Sequence, residues 1–232
     1  MLLEICANSI QSALNADAAG ADRIELCSEL SVGGITPSLG LVENVIRSVA
    51  IPVFVLVRPR SGDFCYSPEE FEIMKRDIDL FKGAGCSGIV SGVLQENHRI
   101  DVARTQELIS LSAPLPFTFH RAFDCVPNPM TALEQLIGLG VHRILSSGSA
   151  ATAEEGMEVL RRLQERAITN LIIMPGGGIN PHNAGKFKTA GFREIHSSAS
   201  ALISNQPLKF DFGPLQTRSD IQTIKALKKT LQ

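Results

Sequence analysis

The sequence predicts an α/β protein, a single (β/α)8 barrel of the TIM type spanning residues 1–232. Three observations lead to it: a short phrase that recurs along the chain, apolar runs that alternate with that phrase, and amphipathic helical stretches in between. The phrase is Gly-x-x-x-Ile, found in Gly20-Ala-Asp-Arg-Ile24, Gly85-Cys-Ser-Gly-Ile89, Gly140-Val-His-Arg-Ile144 and Gly191-Phe-Arg-Glu-Ile195. Its glycine follows a helical pattern and precedes an apolar run, so it marks a helix C-cap that leads into a strand.

The elements follow in order. Leu2-Leu-Glu-Ile-Cys6 opens the strand series, and the Gly-x-x-x-Ile strands then alternate with Pro52-Val-Phe-Val-Leu-Val57, Pro116-Phe-Thr-Phe119 and Leu171-Ile-Ile-Met174. Strands are expected near residues 2–6, 22–27, 52–59, 87–94, 115–121, 142–147, 170–175 and 192–197. Between them, Phe71, Met74, Ile78 and Phe81 form one helical stripe, and Met130, Leu133, Leu136 and Ile137 form another. Ser67-Pro68-Glu69-Glu70 spells an N-cap, an N1 proline and a capping-box glutamate, and Asn128-Pro129 repeats the cap-plus-proline signal. The segment Pro207–Gly213 intervenes before a closing helix at Ser219–Thr230. Strands alternating with helices imply parallel βαβ units, and this number of them closes a barrel. The alternative is a doubly wound open sheet, but no Gly-x-Gly-x-x-Gly follows the first strand, where a dinucleotide-binding fold carries one.

Composition narrows the partners. A net charge of −2 with scattered basic residues argues against nucleic acid. No apolar run approaches the roughly 18 residues that span a bilayer. The N-terminus meets Glu4 at once and lacks a basic leader region, which points to the cytoplasm. Five widely spaced cysteines in a chain of this size are expected as reduced thiols, available for packing or for a soft metal.

A barrel of this type builds its site at the C-terminal ends of its strands, and those ends are polar here. Period-two alternation places Glu4 with Cys6, Glu25 with Cys27, Arg58 with Arg60, Thr118 with His120, and Glu194 with His196 and Ser198 on common faces. Directed inward, they make a solvated mouth of carboxylates, arginines and histidines. Two readings stand: Glu4 and Glu25 pair with Arg58 and Arg60 to hold the barrel, or these groups with His120 and His196 serve acid/base chemistry. Asp63 and Asp124, on the loops after strands three and five, either cap turns or join the site.

Gly176, Gly177 and Gly178 follow strand seven, and Ser197 and Ser198 follow in strand eight. That position suits a phosphate or other small anion cradled by Gly177, Gly178 and the serines at a following short helix. Ser146-Ser-Gly-Ser149 adds donors nearby. Cys6 and Cys27 end the first two strands in the matching phrases Leu-Glu-Ile-Cys and Ile-Glu-Leu-Cys. Neighbouring strands lie about 4.8 Å apart, so their thiols can meet and suit Cu(I), unless they are packing residues only.

Together, Gly33-Gly-Ile-Thr-Pro-Ser-Leu-Gly40, Arg58-Pro-Arg-Ser-Gly-Asp-Phe64, Phe119-His-Arg-Ala-Phe-Asp124 and Met174-Pro-Gly-Gly-Gly-Ile179 resemble the CutC family, over roughly residues 2–200. The resemblance implies a cytoplasmic TIM barrel, often a homo-oligomer, associated with copper homeostasis and copper-ion binding. Cys6 and Cys27 fall where family members with a proposed copper site carry cysteines; Arg58, Asp63, His120, Arg121 and Asp124 lie in the shared phrases. Two departures from the family pattern are Ser146 in place of threonine, and Asp211 in place of arginine after Lys209-Phe210. Two functions are therefore expected as alternatives. One is Cu(I) binding at Cys6 and Cys27. The other is an enzyme acting on a small anionic or phosphorylated metabolite, with His120 and Glu25 as acid/base groups and Arg58 and Arg60 as charge clamps.

Overall fold

In the computed structural model, which describes residues 1–167, 171–203 and 216–232, the chain folds as the expected barrel. Its strands are β1 (Leu2–Ala7), β2 (Arg23–Leu26), β3 (Val53–Leu56), β4 (Gly88–Ser91), β5 (Phe117–Phe119), β6 (Arg143–Ser146), β7 (Ile172–Pro175) and β8 (Glu194–Ser197). All pair in parallel in the order β7-β6-β5-β4-β3-β2-β1-β8, and a parallel bridge between Gly176 and His196 joins the two ends. The eight strands fall inside the eight expected ranges or within a residue of them.

Among the described residues, seven α-helices cover the outside between strands: α1 (Ile10–Ala18), α2 (Leu39–Ser48), α3 (Pro68–Ala84), α4 (Val102–Ser112), α5 (Pro129–Gly138), α6 (Met157–Ala167) and α7 (Ala184–Thr189). An eighth, α8 (Ile221–Leu231), follows β8. Both expected N-caps are in place. Ser67 and Glu70 form a complete capping box on α3, and the Asn128 side chain accepts from the Met130 and Thr131 amides on α5. Phe71, Met74, Ile78 and Phe81 are buried as one stripe, whereas Met130 is exposed because it sits in the first turn of α5, outward from the barrel.

The recurring phrase has a geometric meaning at each position. Gly20, Gly85, Gly140 and Gly191 all have φ between 76° and 88°, the left-handed conformation that ends a helix without a Cβ penalty. Ile24, Ile89, Ile144 and Ile195 are each the second residue of an even-numbered strand, and each is fully buried in the layer between barrel and helices. The residue before each isoleucine must then point into the barrel. These residues are Arg23, Gly88, Arg143 and Glu194.

Two cores result. The large one lies between strands and helices; a small one, Cys6, Cys27, Phe54, Leu56 and Val90, lies inside the barrel. Phe54 fills the axis beside Gly88, where a Cβ would lie 2.6 Å from the ring. The expected short helix after β8 is replaced by a strand, β9 (Ser200–Leu202), which pairs antiparallel with β10 (Thr217–Ser219). Pro207–Gly213, including Lys209, Phe210 and Asp211, lies outside the described residues.

Candidate metal and ligand site at the barrel mouth

The floor of the barrel is a buried ion-pair network built from that inward position of the repeat. Arg23 stands in register with Glu4 and pairs with it through Nε, while its Nη2 donates to Glu194 at 2.5 Å. Arg143 holds the same Glu194 carboxylate through Nε at 2.5 Å and Nη2 at 3.0 Å, and its Nη1 reaches Thr118 Oγ1 at 3.2 Å. Both guanidiniums also lie over the Phe54 ring, at 4.8 and 5.4 Å. Burial works to raise the Glu194 pKa, but Arg143 and Arg23 outweigh it and hold the group below the ordinary range.

Arg58 and Arg60 therefore do not neutralise Glu4 and Glu25. They lie beyond the end of β3, above the carboxylate layer, so Arg23 and Arg143 take that role. Arg60 pairs with Glu70 at 2.6 Å and with Asp63 at 2.9 Å on an exposed loop outside the mouth cavity. Arg58 is buried, and it donates to the carbonyls of Val32, Gly34 and Gly62. Arg23 and Arg143 are not among the site residues expected from sequence, although their shared place in the repeat is the available signal.

Above the floor sit the thiols. Cys6 pairs in register with Glu25, so Cys27 reaches it diagonally, and the two sulfurs are 3.5 Å apart. Both are buried. A sulfur of Cys6, a carboxylate oxygen of Glu25 and a ring nitrogen of His196 lie within 4.8 Å of one another. His196 is oriented from below by Glu4, whose Oε1 is 2.8 Å from Nδ1. Such a carboxylate behind an imidazole fixes its ring orientation and raises its basicity.

The electrostatics follow from crowding of like and unlike groups. Burial favours neutral Glu4, yet Arg23 and then His196 bring its pKa down to about 2. Glu25 lacks a direct arginine partner, so burial prevails over the pull of His196 and raises it to about 7. Burial opposes protonation of His196, but Glu25, Cys6 and Glu4 together raise its pKa well above the ordinary histidine value. The Cys6 thiol is raised by its hydrogen bond with Cys27 first, and by burial second. His120 is the opposite case: burial and Arg58 lower it to about 3.

Above this cluster opens a cavity of about 700 Å³ lined by residues from most strand ends, among them Cys6, Glu25, Arg58, His120, His196 and Gly177. Gly176 lies just below it, against Leu145 and His196, while Gly177 and Gly178 adopt φ of 107° and 74° at its edge. A Cβ on Gly177 would sit 3.4 Å from the Arg121 guanidinium. Ser197 and Ser198 line the cavity, but the Ser197 hydroxyl donates to the Ile179 carbonyl and the Ser198 hydroxyl to Ser200. Asp124 accepts from the Ser146 hydroxyl at 2.6 Å, from the Ser147 and Ser149 amides, and from Arg121 Nε at 2.8 Å. Asp124 thus organises the loop after β6 and aims Arg121, and the donors expected of that loop are spent on it.

The fold and site define a class: a (β/α)8 barrel with an ion-paired floor and a buried thiol, carboxylate and imidazole cluster under an open mouth. The chain belongs to the CutC family, whose model matches residues 1–201. It is 50% identical over 199 residues to the human copper homeostasis protein cutC homolog, covering 85% of this chain and 73% of that protein. It is 49% identical over 201 residues to a CutC family protein of Photorhabdus laumondii, covering 87% of this chain and 81% of the relative. The solved CutC structure from Streptococcus agalactiae superposes with a TM-score of 0.81 at 33% identity, covering 85% of this chain and 98% of that one.

Proposed function

We propose that this protein binds Cu(I) as part of copper handling, with Cys6 and Cys27 as the thiolate donors and His196 as the neighbouring imidazole. The observation that carries the reading is the 3.5 Å separation of the two buried sulfurs at the ends of adjacent strands. Soft thiolates suit Cu(I), and the copper homeostasis names of the relatives agree with that chemistry. Cys65, Cys86 and Cys125 stand apart from this pair, in other parts of the fold.

This chain's residues have distinct parts in the binding. Cys6 and Cys27 give up their protons to the medium and hold the ion; His196, turned by Glu4, supplies a further donor from the same side. Glu25, its pKa raised to about 7 by burial, would relieve the negative charge of the thiolates when it holds its proton. Bound metal contributes positive charge that takes the place of those protons. The Arg23 and Arg143 network keeps Glu4 ionised beneath the imidazole. A competition titration against a Cu(I) chelator under reducing conditions tests the assignment. Cys6→Ser and Cys27→Ser should each lose most of the affinity, and the double variant no more; unchanged binding in the double variant overturns it. A cytoplasmic location and a homo-oligomeric state accompany this reading as proposals, drawn from the family resemblance.

A further inference from the structure

We infer that the wall formed by Arg58, Phe64 and His120 binds a small oxyanion, the phosphate or carboxylate group of a small molecule, independently of the thiols. All three residues line the mouth cavity, whose size of about 700 Å³ suits a metabolite.

Arg58 is 5% exposed, and its side-chain partners are backbone carbonyls: Val32 and Gly34 to Nη1 at 2.9 and 2.8 Å, and Gly62 to Nη2 at 2.8 Å. Its Nε is buried without a hydrogen-bond partner. Among the described residues no carboxylate forms an ion pair with it, unlike Arg23, Arg60, Arg121 and Arg143. Neutral carbonyls engage its Nη groups alone and leave its charge uncompensated, which is costly in a buried site. The guanidinium lies over Phe64, its carbon 4.9 Å from the ring centroid.

His120 packs against the same phenyl ring, tilted by 54° with centroids 5.0 Å apart. Its Nδ1 accepts from the Ala122 amide at 3.2 Å, so the neutral ring carries its hydrogen on Nε2. That Nε2 is buried and has no partner. The ring cannot turn to find one: a Cβ on Gly92 would already lie 2.7 Å from Nδ1, and Phe119 packs edge-on at 6.1 Å. An unpartnered N–H on His120, another on Arg58 and a cation lacking a counter-ion thus pack against one phenyl ring at the edge of the cavity. Water satisfies donors but not the charge; an oxyanion satisfies both.

Calorimetric titration of the full chain, reduced and metal-free in a chloride-free zwitterionic buffer, tests this with inorganic phosphate and, separately, malonate. Saturable binding of one or both is expected, and which one binds identifies the oxyanion. His120→Phe keeps the ring volume and removes the donor; Arg58→Met removes the charge. Each should weaken binding at least about tenfold, the order expected for a lost charge-assisted hydrogen bond. Arg162→Ala, an exposed cation on the outer face of α6, should leave binding unchanged. The Cys6→Ser/Cys27→Ser double variant should also bind normally, so failure of the copper assignment and failure of this one are separable. Should Arg58→Met not fold, 15N spectra of the wild-type imidazoles still decide: saturation with the oxyanion should shift the His120 Nε2–H signals. Absence of saturable binding by either ion, undiminished binding in His120→Phe, or unmoved His120 signals would overturn the proposal.

Discussion

Arg23 on β2 bridges two carboxylates from different strands of the ring, Glu4 on β1 and Glu194 on β8, at 2.5 Å from the latter, with all three side chains shut away from water. The attraction compensates desolvation only while every member is present. Arg23→Met, close in volume, leaves Glu4 to His196 alone and Glu194 to Arg143 alone. Chemical denaturation at pH 7 should show a loss of about 3–5 kcal/mol. A loss under 1 kcal/mol would mean the network is not closed in solution.

Thiol chemistry sets the pH dependence of metal binding. The Cys6 pKa lies well above its ordinary value, so the group is protonated at neutral pH and must release its proton to ligate. His196, raised in the same way, must also lose a proton if its ring nitrogen binds. Apparent Cu(I) affinity should therefore rise with pH, about tenfold per pH unit for each proton released. Titrations at pH 6, 7 and 8 measure the slope; a flat profile contradicts ligation by protonated thiols.

Glu25 should cost stability as it ionises. Its folded pKa of about 7 lies above the unfolded value of 4.5, so its favourable contribution is complete below pH 4.5 and is lost as pH rises through 7. Glu25→Gln should match wild type near pH 4 and be more stable at pH 8, by an amount on the order of a few kcal/mol. Glu4 runs the other way. With its pKa lowered to about 2, it stabilises the fold above pH 4.5 and loses that contribution as pH falls toward 2. Melting temperatures across pH 2–8 separate the two, and a Glu25→Gln difference that shrinks with rising pH would contradict the assignment.

Gly88 has no room for a methyl group, since its Cβ would stand 2.6 Å from two atoms of the Phe54 ring that fills the axis. Gly88→Ala should therefore destabilise by about 1–3 kcal/mol through forced movement of Phe54. Phe54→Leu added to that variant should restore part of the loss, which denaturation of the single and double variants can measure.

The sequence by itself determined the alternation of strands and helices, because C-cap glycines, N-caps and apolar periodicity are local signals. Ser67 and Glu70 need only each other, and Gly85 needs only a left-handed φ. The same local logic grouped Glu4, Glu25, His120 and His196 on candidate inward faces, and the repeat put its four isoleucines at equivalent positions. Which inward groups meet was decided by the tertiary structure alone. Partners in a closed barrel depend on stagger between strands, and no residue spacing encodes it. Stagger set Cys6 opposite Glu25, brought Cys27 within 3.5 Å, and gave Glu4 to Arg23 rather than to Arg58. It also left Arg58 buried among carbonyls and turned the chain after β8 into a strand, since long-range packing outweighs local preference where the chain leaves its repeat.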